Sequence, residues 1–136
     1  MKLRTKIFLA VALVGVALAY YMLTPTPVIN IQKADTEINV NASHIYASYF
    51  DDESAANAEY AGKVVEVSGT LLSVEQLDNG DYQVALDADN PLGKIICTLQ
   101  VIAPGLESLE MGQSITVKGV CTGYLFDVVI DHAMIV

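Results

Sequence analysis

The sequence predicts an α+β protein, mainly β, in which an N-terminal transmembrane helix and two short helices precede a small five-stranded Greek-key barrel. Three observations lead to this expectation. The first 23 residues form an apolar segment that starts with three cations, and residues 42–60 have the apolar spacing and alanine content of two short helices. From residue 63 onward, five runs with strand periodicity are separated by turns that contain glycine.

The charge of the chain is divided unequally along its length. The chain has sixteen acidic and seven basic residues, a net charge of -9. Three of the basic residues, Lys2, Arg4 and Lys6, are in the first six positions. The chain behind residue 23 therefore holds four bases against sixteen acids, a net charge of -12. This division, with a single apolar segment, excludes a polytopic membrane protein, a basic nucleic-acid binder and an intrinsically disordered chain.

Residues 7–23 are uncharged and nearly all apolar, and they follow a basic tip at residues 1–6. As a helix they would extend roughly 26 Å, at about 1.5 Å per residue, which is long enough for a single membrane span. The paired tyrosines near the end suit the membrane interface. The residues expected to form the anchor are Ile7, Phe8, Leu9, Val11, Leu13, Val14, Val16, Leu18, Tyr20, Tyr21 and Leu23.

A cleaved signal peptide is the alternative, with Ala17-Leu18-Ala19 as the cleavage site. Both alternatives place the N-terminus in the cytoplasm, because cations precede the apolar segment and acids follow it. The expected location is the inner membrane, with a single span and the C-terminal domain in the periplasm. If the peptide is cleaved, the domain is released into the periplasm.

Residues 24–41 contain two prolines and no sustained period, so an extended linker is expected there. The domain is expected to cover residues 42–136. It begins with a helix at 42–50 capped by an asparagine, followed by a second at 53–60 capped by an aspartate and stopped by Gly62.

The five predicted strands are residues 63–76, 81–88, 94–101, 113–125 and 127–136. Asn79-Gly80 predicts a hairpin between the first two, and a short helix or turn at 104–109 separates the third from the fourth. Gly69 and Gly119 lie inside the long first and fourth strands, where the strands of a barrel bend. This order is typical of a five-stranded OB barrel, and a β-sandwich is the alternative.

Two stretches of the sequence carry a family resemblance: YAGKVVEVSG at 60–69, and MGQSITVKGVCTG at 111–123, which is followed by DVVI at 127–130. The chain resembles the tRNA_anti-like family of OB-fold proteins over residues 42–136. Many members of that family are membrane-anchored or lipoprotein-type envelope proteins of Bacteroidota. The resemblance implies the barrel, and the family's name implies nucleic-acid binding by analogy of fold alone. It brings no catalytic residue.

The charges of the predicted barrel oppose nucleic-acid binding. Its second strand and flanking turns contain Asp78, Asp81, Asp87 and Asp89, with Tyr82 as the only aromatic residue. A nucleic-acid groove on an OB barrel needs basic residues and aromatic platforms, since phosphate contacts supply most of the non-specific affinity. A nucleic-acid partner is therefore not expected.

Cys97 and Cys121 both lie on strand positions that can face inward. Outside the cytoplasm they could form a disulfide, and the alternative is two small core residues. The chain has no C-x-x-C motif, so no redox activity is predicted.

No motif for catalysis, cofactor binding or metal binding is found. His44 and His132 have no second ligand at metal spacing, and Asp87-Ala88-Asp89-Asn90 resembles only half of a calcium loop. No serine lies in a G-x-S-x-G elbow, and no glycine-rich phosphate loop occurs. We expect no enzyme activity, no cofactor and no metal.

These features together predict a non-catalytic binding or scaffolding module that contacts another envelope protein. Tyr124, Leu125 and Phe126, between the last two strands, are the expected contact, and a plug in the end of the barrel is the alternative for them. Two other functions stay open: binding of an oligosaccharide, peptide or cation, and binding of single-stranded nucleic acid.

Overall fold

The computed structural model describes residues 2–24, 29–100 and 105–136. Its first element is α1 (Leu3–Leu23), a helix with no buried residue. Its most apolar stretch has a mean hydropathy of 2.1, so α1 can cross a membrane by length and composition. The helix starts ahead of the expected span at Ile7 and includes two of the cations.

The C-terminal part of the chain is a closed barrel, as predicted. Its strands are β2 (Val64–Gln76), β3 (Tyr82–Asp87), β4 (Lys94–Leu99), β5 (Ser114–Leu125) and β6 (Asp127–Ile135). They pair in the order β2-β3-β4-β6-β5, and β5 pairs again with β2. The β4–β6 pair is parallel and the other barrel pairs are antiparallel. A sheet that closes on itself is a barrel, so the β-sandwich alternative is wrong.

The core fills the barrel with alternate residues of each strand. Val65, Val67 and Leu71 of β2 are buried in this way, together with Val84, Leu86, Ile95, Cys97, Val117, Cys121, Val128 and Ile130 from the other strands. Polar residues such as Glu66 and Lys118 alternate with them on the outer face. The register follows from this period-two pattern, because a slip by one residue would expose the whole apolar set.

Two helices, α2 (Ala42–Asp51) and α3 (Glu53–Tyr60), precede the barrel where the sequence places them. The Asp52 carboxylate accepts a hydrogen bond from the Ala55 N–H at 3.1 Å and caps α3. Asn41 occupies the cap position of α2, but its side chain makes no capping hydrogen bond. Gly62 has a φ of 77°, which suits the chain reversal after α3.

Gly69 is required by the approach of α2 to the barrel. A Cβ added there would lie 2.8 Å from the Cβ of Ala42. At Gly119 an added Cβ would lie 2.5 Å from Cγ2 of Ile130, next to a register shift between β5 and β6. Both glycines were expected where strands bend, and close packing is the reason for each.

The linker expected at 24–41 differs most from the structure. Residues 38–41 form β1 (Ile38–Asn41), which pairs in parallel with β2 and adds a sixth strand. Ile31 is fully buried on the outer face of the barrel against Val64 and Val120. We call residues 29–41 the N-terminal strap. The strap has only two short apolar alternations, at 29–31 and 38–40, separated by a polar stretch, and these are too short to predict the contact.

Hydrogen bonds join the strap to β2 and β5. The Glu37 N–H donates to the Val64 carbonyl at 2.9 Å, and the Val64 N–H donates to the Glu37 carboxylate at 2.8 Å. The Thr36 hydroxyl donates to the Glu66 carboxylate at 2.8 Å. The Lys118 ammonium donates to the Ala34 carbonyl. The strap is therefore part of the folded domain, which begins before residue 42.

Two other expectations fall partly outside the described residues. β4 ends at Leu99, and the predicted end of that strand at Val101 lies outside them, as does Pro104 of the predicted helix 104–109. The described part of that helix is one 3₁₀ turn, Leu106–Ser108.

Candidate functional site

One end of the barrel is closed by aromatic side chains of α2. Ala42, Ile45, Tyr46 and Tyr49 recur at helical spacing and form the buried face of this helix. The Tyr46 ring meets the Tyr124 ring edge-on at a centroid distance of 5.8 Å, and Tyr49 stacks on Tyr124 at 5.7 Å. Pairs in these geometries add roughly 0.5–1.5 kcal/mol each beyond the area that they bury.

The three residues predicted as a partner contact, Tyr124, Leu125 and Phe126, differ in their exposure to solvent. Tyr124 is half-buried and packs on Tyr46 and Tyr49, so it acts as the plug. Leu125 and Phe126 form the tip of the β5–β6 hairpin and are 80% and 76% exposed. Only these two are free to contact another molecule.

Two further exposed apolar residues lie at the same end. Phe50 is 50% exposed and stacks on Tyr46 at a centroid distance of 6.3 Å. Leu92, in the β3–β4 turn, is 67% exposed and precedes Gly93, which lies directly beneath the Tyr46 hydroxyl and the Phe126 carbonyl. We call Phe50, Leu92, Leu125 and Phe126 the apolar surface.

Sequence reasoning missed Phe50 and Leu92. Phe50 follows Tyr49 in the chain and falls outside the buried i, i+4 face of α2, which was a usable signal. Leu92 had no such signal, because it is a single apolar residue in a polar turn.

The hairpin tip is held in place by a network around Tyr46. The Tyr46 hydroxyl donates to the Phe126 carbonyl at 2.9 Å, and the Lys94 N–H donates to the Asp127 carboxylate at 2.9 Å. Phe126 has a φ of 63°, an uncommon conformation for a residue other than glycine. Because these bonds fix the backbone of the tip, that backbone loses little conformational freedom on binding.

Burial of Tyr46, together with the adjacent Tyr124, raises the pKa of the Tyr46 hydroxyl to about 12. The same cause, with a contact to the Cys121 thiol at 3.4 Å, raises the pKa of Tyr49. Both hydroxyls are neutral at physiological pH, so Tyr46 keeps the proton that it donates to the Phe126 carbonyl.

Acidic residues lie beside the apolar surface in the three segments of the chain that carry it. The segments that form this end, residues 50–53, 87–94 and 124–127, contain six carboxylates and one lysine, a net charge of -5. The carboxylates are Asp51, Asp52, Glu53, Asp87, Asp89 and Asp127, and the lysine is Lys94. The surface is thus an apolar centre with an anionic rim.

Cys97 and Cys121 are free, buried thiols, so the disulfide considered from the sequence is not formed. Cys97 of β4 and Cys121 of β5 are both direct partners of Ile130, on opposite sides of β6. Their Cα atoms are therefore about two strand spacings, roughly 9–10 Å, apart. A disulfide needs about 4.4–6.8 Å. Burial raises the pKa of both thiols, and they serve as core residues.

The remaining polar candidates lie apart from the apolar surface or serve the turns. His44 lines a cleft of about 350 Å³ with Asn39, Asn41 and Ser68. His132 lies 3.7 Å from the Asp131 carboxylate in a second cleft, of about 310 Å³. In the half calcium loop, the Asp87 carboxylate accepts the Asp89 N–H at 2.9 Å. Within the described ranges, no three metal-ligating side chains are placed to hold an ion.

Among the described residues, the strands β3 and β4 carry one basic residue, the exposed Lys94 at the start of β4, which pairs with Asp87. Lys118 is on β5 and is bonded to the strap, while Lys63 precedes β2. Tyr82 of β3 is half-buried. Asp81 and Asp87 border this strand at its two ends. An anionic ligand on this face would meet Asp81 and Asp87 as well as the single cation of Lys94.

The family model and one solved structure agree with the barrel. A sequence model of the tRNA_anti-like family matches residues 1–133. A candidate nucleic acid-binding lipoprotein of Klebsiella pneumoniae matches with a TM-score of 0.53 and 16% identity, over 71% of this chain and 90% of that chain. The yeast Stn1 and Ten1 structure aligns with a TM-score of 0.44 and 12% identity, over 79% of this chain and 65% of that chain. No curated protein matches the sequence.

Proposed function

The chain belongs to the tRNA_anti-like family, and we propose that it is a membrane-anchored accessory protein whose OB barrel binds another envelope protein without catalysing a reaction. The observation that carries the proposal is the apolar surface, where Leu125 and Phe126 are 80% and 76% exposed on a fixed hairpin. Exposed apolar side chains grouped in one place, with a polar rim, mark interaction sites on soluble domains.

The proposed location follows from α1 and the charges beside it. Lys2, Arg4 and Lys6 precede or begin the apolar stretch, and all sixteen acids follow it. The positive-inside rule then puts the N-terminus in the cytoplasm and the barrel in the periplasm. Cleavage after Ala19 would release the same domain, so the partner would be an envelope protein in either case.

A non-catalytic role is supported by the state of the nucleophiles. Cys97 and Cys121 are buried, with pKa values raised by burial. A thiol in apolar surroundings carries little thiolate, which is the reactive form. Burial also raises the pKa of the Tyr49 hydroxyl, which contacts Cys121, so this hydroxyl stays protonated beside the thiol at neutral pH.

Binding of a small ligand is a second candidate function. The cleft of about 350 Å³ at the start of α2 is lined by Asn39, Asn41, His44 and Ser68. Amide, imidazole and hydroxyl groups suit an oligosaccharide or a peptide backbone. A thermal-shift screen of the full chain with cell-wall fragments and calcium tests this function, and a flat result would count against it.

Nucleic-acid binding is the third candidate, and it comes from the family name and the Klebsiella neighbour. A net charge of -12 behind residue 23 opposes it. Single-stranded nucleic-acid binding at physiological salt that weakens as salt rises would overturn this judgement.

Site-specific photo-crosslinking in intact membranes tests the proposed function. A photoreactive amino acid replaces Phe126 in the full chain, and a matched variant carries it at Met111, which is 78% exposed between β4 and β5. The proposal expects one discrete protein adduct from position 126 and none of the same mass from position 111. Adducts to lipid alone, or the same adducts from both positions, would refute it.

A further inference from the structure

The size of the apolar surface limits what it can bind. Its four side chains are between 50% and 80% exposed. At roughly 150–250 Å² for a large apolar side chain, the exposed area is on the order of 500 Å². That equals the largest apolar patch of a typical monomer, whereas a standard interface buries about 800 Å² on each partner. The surface can therefore serve as the centre of a small interface or receive a short segment, and it is too small for a stable dimer by itself.

The negative charge of the rim favours one kind of binding partner over the others that could fit a surface of this size. The segments around the surface carry a net charge of -5. A second copy of the chain would bring the same rim against this one, and like charges across an interface are unfavourable. An anionic lipid surface would be repelled for the same reason. A segment of a partner protein that carries cations beside its apolar residues is not repelled by the rim.

The position of the carboxylates strengthens this preference. Asp51 directly follows Phe50, and Asp127 directly follows Phe126. The Asp127 carboxylate is held by the Lys94 N–H at 2.9 Å, which fixes a negative charge beside the hairpin tip. Each exposed aromatic ring thus has a carboxylate next to it in the chain, and a cation on the partner could reach both groups.

We infer that the apolar surface binds a partner segment in which aromatic or aliphatic side chains are flanked by lysine or arginine. This inference rests on the proposed function and names the chemistry of its partner. The apolar side chains of the segment cover Leu125, Phe126, Phe50 and Leu92, and its cations pair with the carboxylates of the rim.

Peptide binding to the full chain in nanodiscs of zwitterionic lipid tests the inference. Three short fluorescent peptides are compared: a phenylalanine-leucine centre with lysine flanks, the same centre with glutamate flanks, and lysine flanks around a serine centre. The first peptide should bind about tenfold more tightly than the glutamate-flanked peptide, since two exposed ion pairs account for that ratio. It should also bind about tenfold or more tightly than the serine-centred peptide, which has no apolar side chains to cover the surface. Its affinity should fall as salt rises.

Two pairs of matched variants assign the binding to this surface. Asp51→Asn with Asp89→Asn should weaken the first peptide and flatten its salt dependence, whereas Asp78→Asn with Asp81→Asn, in the β2–β3 turn at the other end, should not. Leu125→Ser with Phe126→Ser should abolish binding, and Met111→Ser should leave it unchanged.

Other results would overturn the inference. Equal binding of the glutamate-flanked peptide would refute the cationic partner, and equal binding of the serine-centred peptide would refute the apolar contact. Binding of the chain to vesicles of anionic lipid through Phe126, or self-association lost in Phe126→Ser, would assign the surface to lipid or to a second copy. The proposed function fails separately, by the absence of a protein adduct at position 126.

Discussion

Ile31 connects the N-terminal strap to the outer face of the barrel, and its replacement by alanine tests whether the strap is part of the fold. Ile31 is fully buried, while Ile29, two residues earlier on the same strap, is 37% exposed. Ile31→Ala and Ile29→Ala delete the same three carbons from the same segment. A difference in stability between the two variants therefore reports the difference in burial of the two side chains.

The magnitude follows from the atoms removed. Three buried carbons at about 0.8 kcal/mol each give roughly 2.4 kcal/mol of lost transfer free energy. A cavity term raises the usual cost of Ile→Ala to about 2–5 kcal/mol. Ile31 packs against the small cluster of Val64 and Val120, where neighbours can relax, so the lower end, about 2–3 kcal/mol, is expected. Ile29→Ala should cost less, about 1.5 kcal/mol at most, because Ile29 is already 37% exposed and its neighbours leave no enclosed cavity.

Hydrogen exchange of the full chain in detergent measures the effect at the strap. A cost of about 2–3 kcal/mol raises the open population of the strap about 30- to 150-fold, at 1.4 kcal/mol per factor of ten. The Glu37 N–H, bonded to the Val64 carbonyl at 2.9 Å, reports this opening. Trypsin cleavage after the exposed Lys33 provides a second readout. Equal exchange and cleavage rates in the two variants would refute the packed strap and restore the flexible linker.

Three further predictions concern the barrel itself. Gly93→Ala should destabilise the domain by about 1–3 kcal/mol in urea unfolding, because the added Cβ would overlap the Phe126 carbonyl and the Tyr46 hydroxyl; a stability equal to wild type would contradict the close packing there. Cys97 and Cys121 should resist iodoacetamide until urea unfolds the protein, since both are buried with raised pKa values; rapid labelling of the native chain, or a disulfide in the purified protein, would oppose this. The free energy of unfolding should fall as the pH rises above about 10. In the unfolded chain the Tyr46 hydroxyl loses its proton near pH 10, whereas in the native state its pKa is about 12. Deprotonation therefore stabilises the unfolded state over this range. Tyr46→Phe should reduce the slope, and an unchanged slope would show that Tyr46 does not contribute.

The strands and helices of the barrel domain could be predicted because their signals are local. Alternation of apolar residues from Val64 onward and the Asn79-Gly80 turn depend on neighbours in the chain, and the structure has strands at the expected positions. The capping aspartate of α3, Asp52, is likewise a local signal. Closure of the barrel followed from the order of these elements.

The strap and Leu92 of the apolar surface could not be predicted, because their contacts join residues far apart in sequence. Ile31 belongs to a short apolar pair with Ile29, and its partners, Val64 and Val120, lie much further along the chain. Leu92 becomes part of the apolar surface only because the β3–β4 turn packs against Tyr46 and Phe126 through Gly93. The disulfide could not be judged from the sequence for a related reason. Alternation shows that Cys97 and Cys121 face inward, but only the strand order shows that β6 lies between them.

The sequence by itself determined the apolar N-terminal helix, the charge division and the barrel, because hydropathy, charge and period are properties of short stretches. The tertiary structure decided which of these residues meet. It turned Tyr124 inward and left Leu125 and Phe126 exposed, it placed β6 between Cys97 and Cys121, and it packed the strap on β2. The physical reason is that burial depends on the closure of the barrel, which brings together side chains whose separation in the chain carries no local signal.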